Sequence, residues 1–215
     1  KPSEQYAKAF LTTFLTPCDY LIDVHTASEG RINSLYVRAD LHQEEARELA
    51  LLMDPQIILH GRSGDGTLRN AARVRGIPAI TVEAGNPMVF QGRMALEGVQ
   101  GIFRILGSLG VVLGESPPKG PPPVICKSSK WLRVRSGGFL ETQFSLCDKV
   151  DRKQVLAAVN DPFGYLVETY DSPSEGIVIG MSRSPVALPG TRFCHLGAVG
   201  EPPPRAKPSP PKVVS

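Results

Sequence analysis

Asp23 and His25 stand at the end of a short apolar run, Tyr20–Val24, where their spacing could support metal chemistry. Residues two apart on a strand point to the same face, so a strand here brings the two side chains together. An imidazole at the carboxyl end of a strand in an α/β sheet faces the crevice where such folds bind ligands, and a nearby carboxylate can orient it on a metal. The pair therefore indicates a metal ligand, His25, supported by Asp23. A partly buried histidine bonded to backbone is the alternative.

Glu83 is the second candidate, because it directly follows the apolar run Pro78–Val82. A carboxylate at the exit of a buried strand is poorly placed for simple solvation and can instead exchange a proton with a bound ligand. A glutamate that caps the following turn is the alternative. Since Glu83 and His25 both end strand-like runs, a sheet holding these runs in parallel brings the two side chains to one edge.

The elements that must position these residues alternate in type over the first 113 residues. Strand-like runs separated by helical patterns are typical of an α/β layer with some parallel pairing. The patterns predict helices over Ser3–Leu15, Gln43–Met53, Thr67–Val74 and Val89–Leu109, and strands over Tyr20–Val24, Gln56–His60 and Pro78–Val82.

Proline divides the chain, since fifteen of the 20 prolines lie after residue 110. The segment Gly114–Pro123 cannot carry a helix or a central strand, because proline lacks the N–H and fixes φ. Short strand-like runs then predict a small all-β domain, interrupted by one helix over Arg152–Val159. The expected strands are Val124–Cys126, Trp131–Val134, Gly138–Phe144, Gly164–Tyr170 and Gly176–Gly180. The predicted organisation is an α/β unit over 1–113, a linker over 114–123, a β domain over 124–200 and a disordered proline-rich tail over 201–215.

Charge and composition exclude several classes of protein. Lysine and arginine number 24 against 21 acidic residues, and the charges are interspersed, which argues against a nucleic-acid partner. No apolar run reaches the roughly 18–20 residues that a membrane span needs. The four cysteines show no CxxC spacing and no signal peptide opens the chain. We therefore expect a cytoplasmic protein with dispersed thiols and with neither a membrane nor a nucleic acid as its partner.

A series of motifs runs in order from about Ser3 to Leu196. The motifs are Asp23–Thr26, Arg31, Asn33, Tyr36–Leu41, Gly66–Arg69, Ile80–Gly85, Ser136–Leu140 and Ser174–Gly180. In this order they resemble the succinylglutamate desuccinylase/aspartoacylase family. The resemblance implies a zinc-carboxypeptidase-like layered α/β domain, here incomplete at its N-terminus, followed by a small all-β domain. It also implies a zinc-dependent deacylase acting on a small acylated amine of amino-acid type, or a relative that cleaves another amide or an ester.

The resemblance implies a role for each matching residue. His25 corresponds to the last of three Zn²⁺ ligands, with Asp23 as its hydrogen-bonded neighbour. Glu83 corresponds to the carboxylate that activates the attacking water and then protonates the leaving amine. Arg69 is a candidate for binding a substrate carboxylate, because a guanidinium offers a two-pronged donor. Arg38 and Arg31 are weaker candidates for the same role, and surface solvation is the alternative for each arginine.

The sequence departs from the family pattern before His25. The family's other two zinc ligands form a His-x-x-Glu pair upstream, but the residues that precede His25 contain no histidine. The pair His42–Glu45 has this spacing, but its place after His25 in a charged helix start favours solvation. We therefore expect the carboxy-terminal part of a longer enzyme, which by itself binds zinc weakly and hydrolyses little, because one histidine cannot hold zinc tightly.

An incomplete sheet leads to one further expectation, and one alternative function remains. An unpaired edge strand favours association, so a homo-oligomer is expected through that edge. The alternative to an enzyme is a metal-free binding or regulatory module that keeps the fold.

Overall fold

The structure, a computed structural model, describes residues 1–204, so residues 205–215 of the tail expected over 201–215 lie outside the described residues. Its helices are α1 (Pro2–Phe10), continued by a π-helical turn over Leu11–Leu15, α2 (Glu44–Met53), α3 (Leu68–Val74) and α4 (Gly92–Ser108). The strands of the first half are β1 (Leu21–His25), β2 (Arg31–Asn33), β3 (Leu35–Ala39), β4 (Ile57–His60) and β5 (Ala79–Ala84). Those of the second half are β6 (Val124–Arg133), β7 (Gly138–Thr142), β8 (Lys149–Val150), β9 (Val155–Asn160), β10 (Leu166–Asp171), β11 (Gly176–Ser182), β12 (Val186–Ala187) and β13 (Arg192–Val199).

Two sheets organise these strands. Within residues 1–204, a nine-stranded mixed sheet has the order β1-β5-β3-β4-β6-β13-β11-β2, with β8 paired to β11. β1 and β5 are parallel to each other, while β3 runs antiparallel to β5 and parallel to β4. A second, antiparallel sheet has the order β10-β9-β7-β12. The expected fold class, a layered α/β core followed by a β region, is thus confirmed.

The alternation of β3 explains how the main sheet separates its core from its polar face. Leu35, Val37 and Ala39 are buried in a cluster with side chains of α2 and α4, which cover one face of the sheet. Tyr36 and Arg38 point to the opposite face, as residues two apart on a strand do. That opposite face carries the candidate site.

Most sequence-predicted elements of the first half are confirmed within one to three residues at their ends. The helix expected over Arg152–Val159 is wrong, because Val155–Asn160 forms β9 between β7 and β10. Its valines and its place in the middle of a sheet outweigh the weak helical pattern. The two strands expected over Val124–Cys126 and Trp131–Val134 form the single strand β6. Strands β2, β3, β8, β12 and β13 were not expected.

The main sheet crosses the expected boundary between the two units. β4 pairs in parallel with β6, with Ile57 in register with Val124. The proline-rich segment 114–123 contains neither helix nor strand. The division of the chain into units at 113 and 124 stays a prediction, and hydrogen bonds join the strands on its two sides.

Two other features concern the surface. At the start of the expected tail, Glu201 pairs with Arg47 of α2 at 2.9 Å, and the Pro203 carbonyl accepts from His42 Nε2 at 2.9 Å. Among the described residues, no helix has the length and apolar character required to span a bilayer.

Candidate functional site

His25 and Glu83 lie side by side at the ends of two neighbouring strands. β1 and β5 pair in parallel with Leu21 opposite Ala79, and this register places His25 opposite Glu83. Partners in a parallel pair point to the same face, with backbones about 4.8 Å apart. The imidazole and the carboxylate therefore project from one face of the sheet, at the same edge.

Asp23 orients the His25 ring. The His25 Nε2 atom lies 2.9 Å from Asp23 Oδ1, while the His25 side chain is 51% exposed and the Asp23 side chain 20% exposed. With Nε2 engaged by the carboxylate, Nδ1 is the ring nitrogen that can coordinate a cation. This is the arrangement of a carboxylate that supports a metal-binding histidine.

Three side chains hold the Glu83 carboxylate. Asn33 donates its Nδ2–H to Glu83 Oε2 at 3.3 Å, and Arg38 Nε lies 3.5 Å from Oε1. The Tyr36 hydroxyl also hydrogen-bonds to Glu83 and accepts from Arg38 Nη2 at 2.8 Å. These contacts fix the carboxylate in one orientation, beside the position that His25 occupies.

Tyr36 is the most buried member of this group, at 1% exposure. It lies directly opposite Glu83 in the antiparallel pair of β3 and β5. Burial, together with the negative charge of Glu83 and against the opposing effect of Arg38, raises the pKa of Tyr36 to about 12. The phenol therefore stays protonated at neutral pH and donates a hydrogen bond to the carboxylate.

Arg69 lies next to this group, near the beginning of α3. The Thr67 hydroxyl caps that helix by accepting the Asn70 N–H at 3.1 Å. Arg69 is buried, and its Nη1 donates to the Gly61 carbonyl at 2.9 Å. Burial lowers the pKa of Arg69, and nearby Arg38 lowers it further. The structure thus brings Arg69 into the electrostatic range of the candidate site.

Arg31 makes its contact with Trp131 and not with the other five candidates. Its guanidinium carbon is 5.2 Å from the centre of the Trp131 ring, and its strand, β2, pairs with β11. Arg31 instead lines a cleft with Arg133 and Arg192. Ion pairs or electrostatic interactions thus connect His25 with Asp23, Glu83 with Arg38, and Arg69 with both Asp23 and Arg38, whereas the Arg31 guanidinium contacts Trp131.

A family model described as the Succinylglutamate desuccinylase/Aspartoacylase catalytic domain matches residues 1–109, which is half of the chain. The chain belongs to this family. A search of curated proteins found no significant match.

Solved structures agree with the desuccinylase/aspartoacylase fold. The apo ectoine utilization protein EutE (DoeB) from Ruegeria pomeroyi is 17% identical with a TM-score of 0.80, over 89% of this chain and 64% of its own. A succinylglutamate desuccinylase from Silicibacter sp. TM1040 is 18% identical with a TM-score of 0.79, over 91% of this chain and 63% of its own. An aspartoacylase family protein from Mesorhizobium loti is 19% identical with a TM-score of 0.72, over 91% and 68%. The chain thus spans less than two thirds of the first two proteins.

Membership of the desuccinylase/aspartoacylase family implies zinc. The site offers one candidate ligand for it. His25 Nδ1, backed by Asp23, fits such a ligand, and zinc sites in enzymes use three protein ligands. In the part of the chain that the structure describes, no second histidine and no cysteine lies beside His25 in a group of three possible ligands. The residues present therefore fit the position of one zinc ligand and leave the set incomplete.

A different group of possible ligands lies at the other end of β3, formed by Asp40, His42 and His60. The His60 Nδ1 atom accepts the Leu41 N–H at 3.1 Å, and His42 Nε2 donates to the Pro203 carbonyl. Hydrogen bonds thus already use one nitrogen of each ring. Ala39 and His60 pair at the other end of β3 from Tyr36 and Glu83. Arg69 lies within electrostatic range of both groups, because Asp40 as well as Arg38 and Asp23 affects its pKa.

Two residues of the site received no role from the sequence. Asn33 and Tyr36 stood within the motifs that resemble the family, but nothing marked them as partners of Glu83. The role of Tyr36 can be inferred only once β3 is known to be the neighbour of β5. Alternation along β3 then places Tyr36 beside Glu83.

Proposed function

We propose that this chain carries the acid–base part of a zinc-dependent deacylase site, which cleaves an amide or ester bond of a small N-acyl amino-acid-like substrate. The observation that carries the proposal is the register of His25 with Glu83 on one face of two parallel strands. A possible metal ligand and a fixed carboxylate at adjacent positions suit hydrolysis of an amide.

Glu83 acts as the base in this proposal. Held by Asn33, Arg38 and Tyr36, its carboxylate accepts a proton from the attacking water at one oxygen. It then returns that proton to the leaving amine nitrogen, so the proton count balances over the reaction. Zinc, when bound, would polarise the scissile carbonyl and lower the pKa of water to about 7.

His25 would supply one zinc ligand through Nδ1, and Asp23 would fix its ring. Arg69 and Arg38 are proposed to bind a carboxylate of the substrate, since both guanidiniums lie beside the site and a guanidinium binds carboxylates through two parallel hydrogen bonds. Arg31 was also a candidate, but its place over Trp131 does not support this role.

The chain alone is proposed to bind zinc weakly and to hydrolyse little, because the described residues give one histidine ligand where three are needed. Calorimetry on residues 1–215 is expected to show no zinc complex of sub-micromolar affinity. A tight 1:1 complex that His25→Ala abolishes would contradict this part of the proposal.

The catalytic proposal is tested in the longest natural protein that contains this sequence. Glu83→Gln is expected to abolish amide hydrolysis and to leave the zinc content unchanged, while His25→Ala lowers the zinc content. Glu141→Gln, at an exposed position of β7, is the matched control and is expected to keep full activity. Equal activity of Glu83→Gln and the control would refute the role of Glu83.

A metal-free binding or regulatory module is the second candidate function, favoured by the incomplete ligand set. If that longest protein purifies without zinc and gains none on incubation, this function replaces the first. In either case the four free cysteines, two of them buried, support a reducing compartment such as the cytoplasm.

We also propose that the protein can form a homo-oligomer through β1. Among the described strands, β1 stands at one end of the main sheet and pairs only with β5, so one backbone edge is open to another strand. Light scattering at high concentration is expected to show a species larger than the monomer, and a monodisperse monomer would contradict this.

A further inference from the structure

Three arginines from three different strands line one cleft, and Glu83 is not part of its lining. Arg31 of β2, Arg133 of β6 and Arg192 of β13 surround a cleft of about 480 Å³. Ser182, Ser184 and Thr191 line the same cleft, and the hydroxyl of Ser184 already donates to the Val186 carbonyl at 2.8 Å. A guanidinium group carries five N–H donors and no acceptor, so the three arginines make the lining rich in groups that bind an oxyanion.

The charges of this cleft are not balanced. Glu29 is the one carboxylate among the residues that line it. Within residues 1–204, none of the three guanidiniums lies within ion-pair distance of a carboxylate, whereas six other arginines do. Arg133 Nη1 donates to the Gly190 carbonyl at 2.7 Å, which leaves its other N–H groups for a ligand.

The positions of Arg133 and Arg192 lower the stability of the fold when no ligand is bound. The two residues are directly opposite each other in the antiparallel pair of β6 and β13. Like charges directly opposite across a strand pair destabilise it. An anion between them would remove this repulsion, and the cleft that they share has the room for one.

Trp131 holds two of these side chains in place. The guanidinium carbons of Arg31 and Arg192 lie 5.2 and 6.0 Å from the centre of its ring. Stacking on an aromatic ring limits the motion of a guanidinium, so both donors are partly ordered before any ligand binds.

We infer that this cleft is a binding site for a small oxyanion, either a phosphate group or the carboxylates of a small organic acid. Guanidinium groups bind both through paired, charge-assisted hydrogen bonds. The inference is independent of the proposed hydrolysis, because it uses none of the residues that surround Glu83.

The tryptophan gives a direct measurement, because Trp131 is the only tryptophan of the 215 residues and contacts two of the three arginines. We expect its fluorescence to change saturably on titration with inorganic phosphate or with citrate, and not with chloride at equal ionic strength. The anion that binds more tightly identifies the source of the ligand. A response to phosphate and citrate no larger than that to chloride would overturn the inference without any variant.

Variants then locate the site. Arg192→Gln and Arg31→Gln are each expected to weaken the tighter anion by about tenfold, the loss of one charge-assisted contact. Arg152→Gln, an exposed arginine outside the cleft, removes the same charge and is the matched control. Circular dichroism checks that each variant is folded, and Arg31→Lys is used if Arg31→Gln is not. Equal weakening by Arg152→Gln would show a general charge effect and contradict the site.

Discussion

His25 lies directly opposite Glu83 in the parallel pair of β1 and β5, and Asp23 lies two residues earlier on the same face. The sequence alone indicated each residue as the end of a strand, and the register of the pair places both on one face of the sheet. A zinc ligand and a base must lie on the same face of the sheet to act on one substrate.

Asp23→Asn tests the link between the carboxylate and the imidazole. The 2.9 Å contact between His25 Nε2 and Asp23 Oδ1 fixes the ring, and such supporting contacts are typically worth about 10–100-fold in metal affinity. We expect a loss of this size in competition with a chelator, measured in the longest natural protein that contains the chain. Asp171→Asn, at an exposed position in β10, serves as the control. Unchanged zinc affinity would remove Asp23 from the proposed site.

Tyr36→Phe tests whether the buried phenol supports Glu83. The change deletes one hydroxyl that accepts from Arg38 and donates to the carboxylate, and leaves the ring in place. Because buried partners are left unpaired, we expect the free energy of unfolding to fall by about 1–3 kcal/mol. Urea denaturation measures the change in residues 1–215. Tyr165→Phe, at a tyrosine that is 73% exposed, is expected to change stability little. Similar free energies of unfolding for both variants would show that the hydroxyl of Tyr36 does not stabilise the fold.

The first half of the fold was readable from sequence because its strands are short apolar runs between amphipathic helices. Tyr20–Val24 and Pro78–Val82 match β1 and β5 closely, so the edge that carries His25 and Glu83 followed from pattern alone. The segment Arg31–Ala39 was not readable. Its charged and polar residues interrupt the apolar alternation, since Arg31, Asn33 and Arg38 face the site or the arginine cleft.

The second half was less readable for a different reason. The polar stretch KSSK interrupts the apolar residues of β6, so this ten-residue strand resembled two short strands. Its pairing with both β4 and β13 joins residues far apart in sequence, and periodicity contains no information on such partners. Arg31 stays a predicted substrate-binding residue, although β2 pairs with β11 and the Arg31 guanidinium lies over Trp131.

Arg104→Met tests what fixes the proline-rich segment 114–123 to the α/β core. Arg104 is buried, donates to the carbonyls of Leu52 and Pro118 at 2.9 and 2.8 Å, and lies 3.5 Å from Asp54 Oδ2. The same Asp54 oxygen accepts the Gly120 N–H at 2.7 Å.

Removing this guanidinium leaves two carbonyls without their donor and the partly buried Asp54 carboxylate without its positive partner, so we expect a loss of about 3–5 kcal/mol in stability. Limited proteolysis should then cut within the proline-rich segment faster than in the unchanged protein. Arg93→Met is the control, since the Arg93 side chain is 92% exposed. An uncut segment in a destabilised variant would show that Arg104 supports α4 but not the segment.

His195 gives the protein a predictable dependence on pH. It is 2% exposed, stacks on Trp131 and bonds through Nε2 to Ser129 Oγ at 2.7 Å, while its Nδ1 has no partner among the described residues. Burial, with the charges of Arg38 and Arg192, lowers the pKa of His195 to about 3.

The unfolded chain takes up a proton on this histidine near pH 6.5, whereas the folded protein resists it down to about pH 3. The contribution of His195 to the free energy of unfolding is therefore fully present above pH 6.5. It falls as the pH drops from 6.5 towards 3, by about 2 kcal/mol at pH 5. Urea denaturation at pH 7 and pH 5 measures the loss, and His195→Gln, which cannot titrate, is expected to lose correspondingly less. An equal loss in the variant would assign the pH dependence to other groups and show that His195 is protonated in the folded protein.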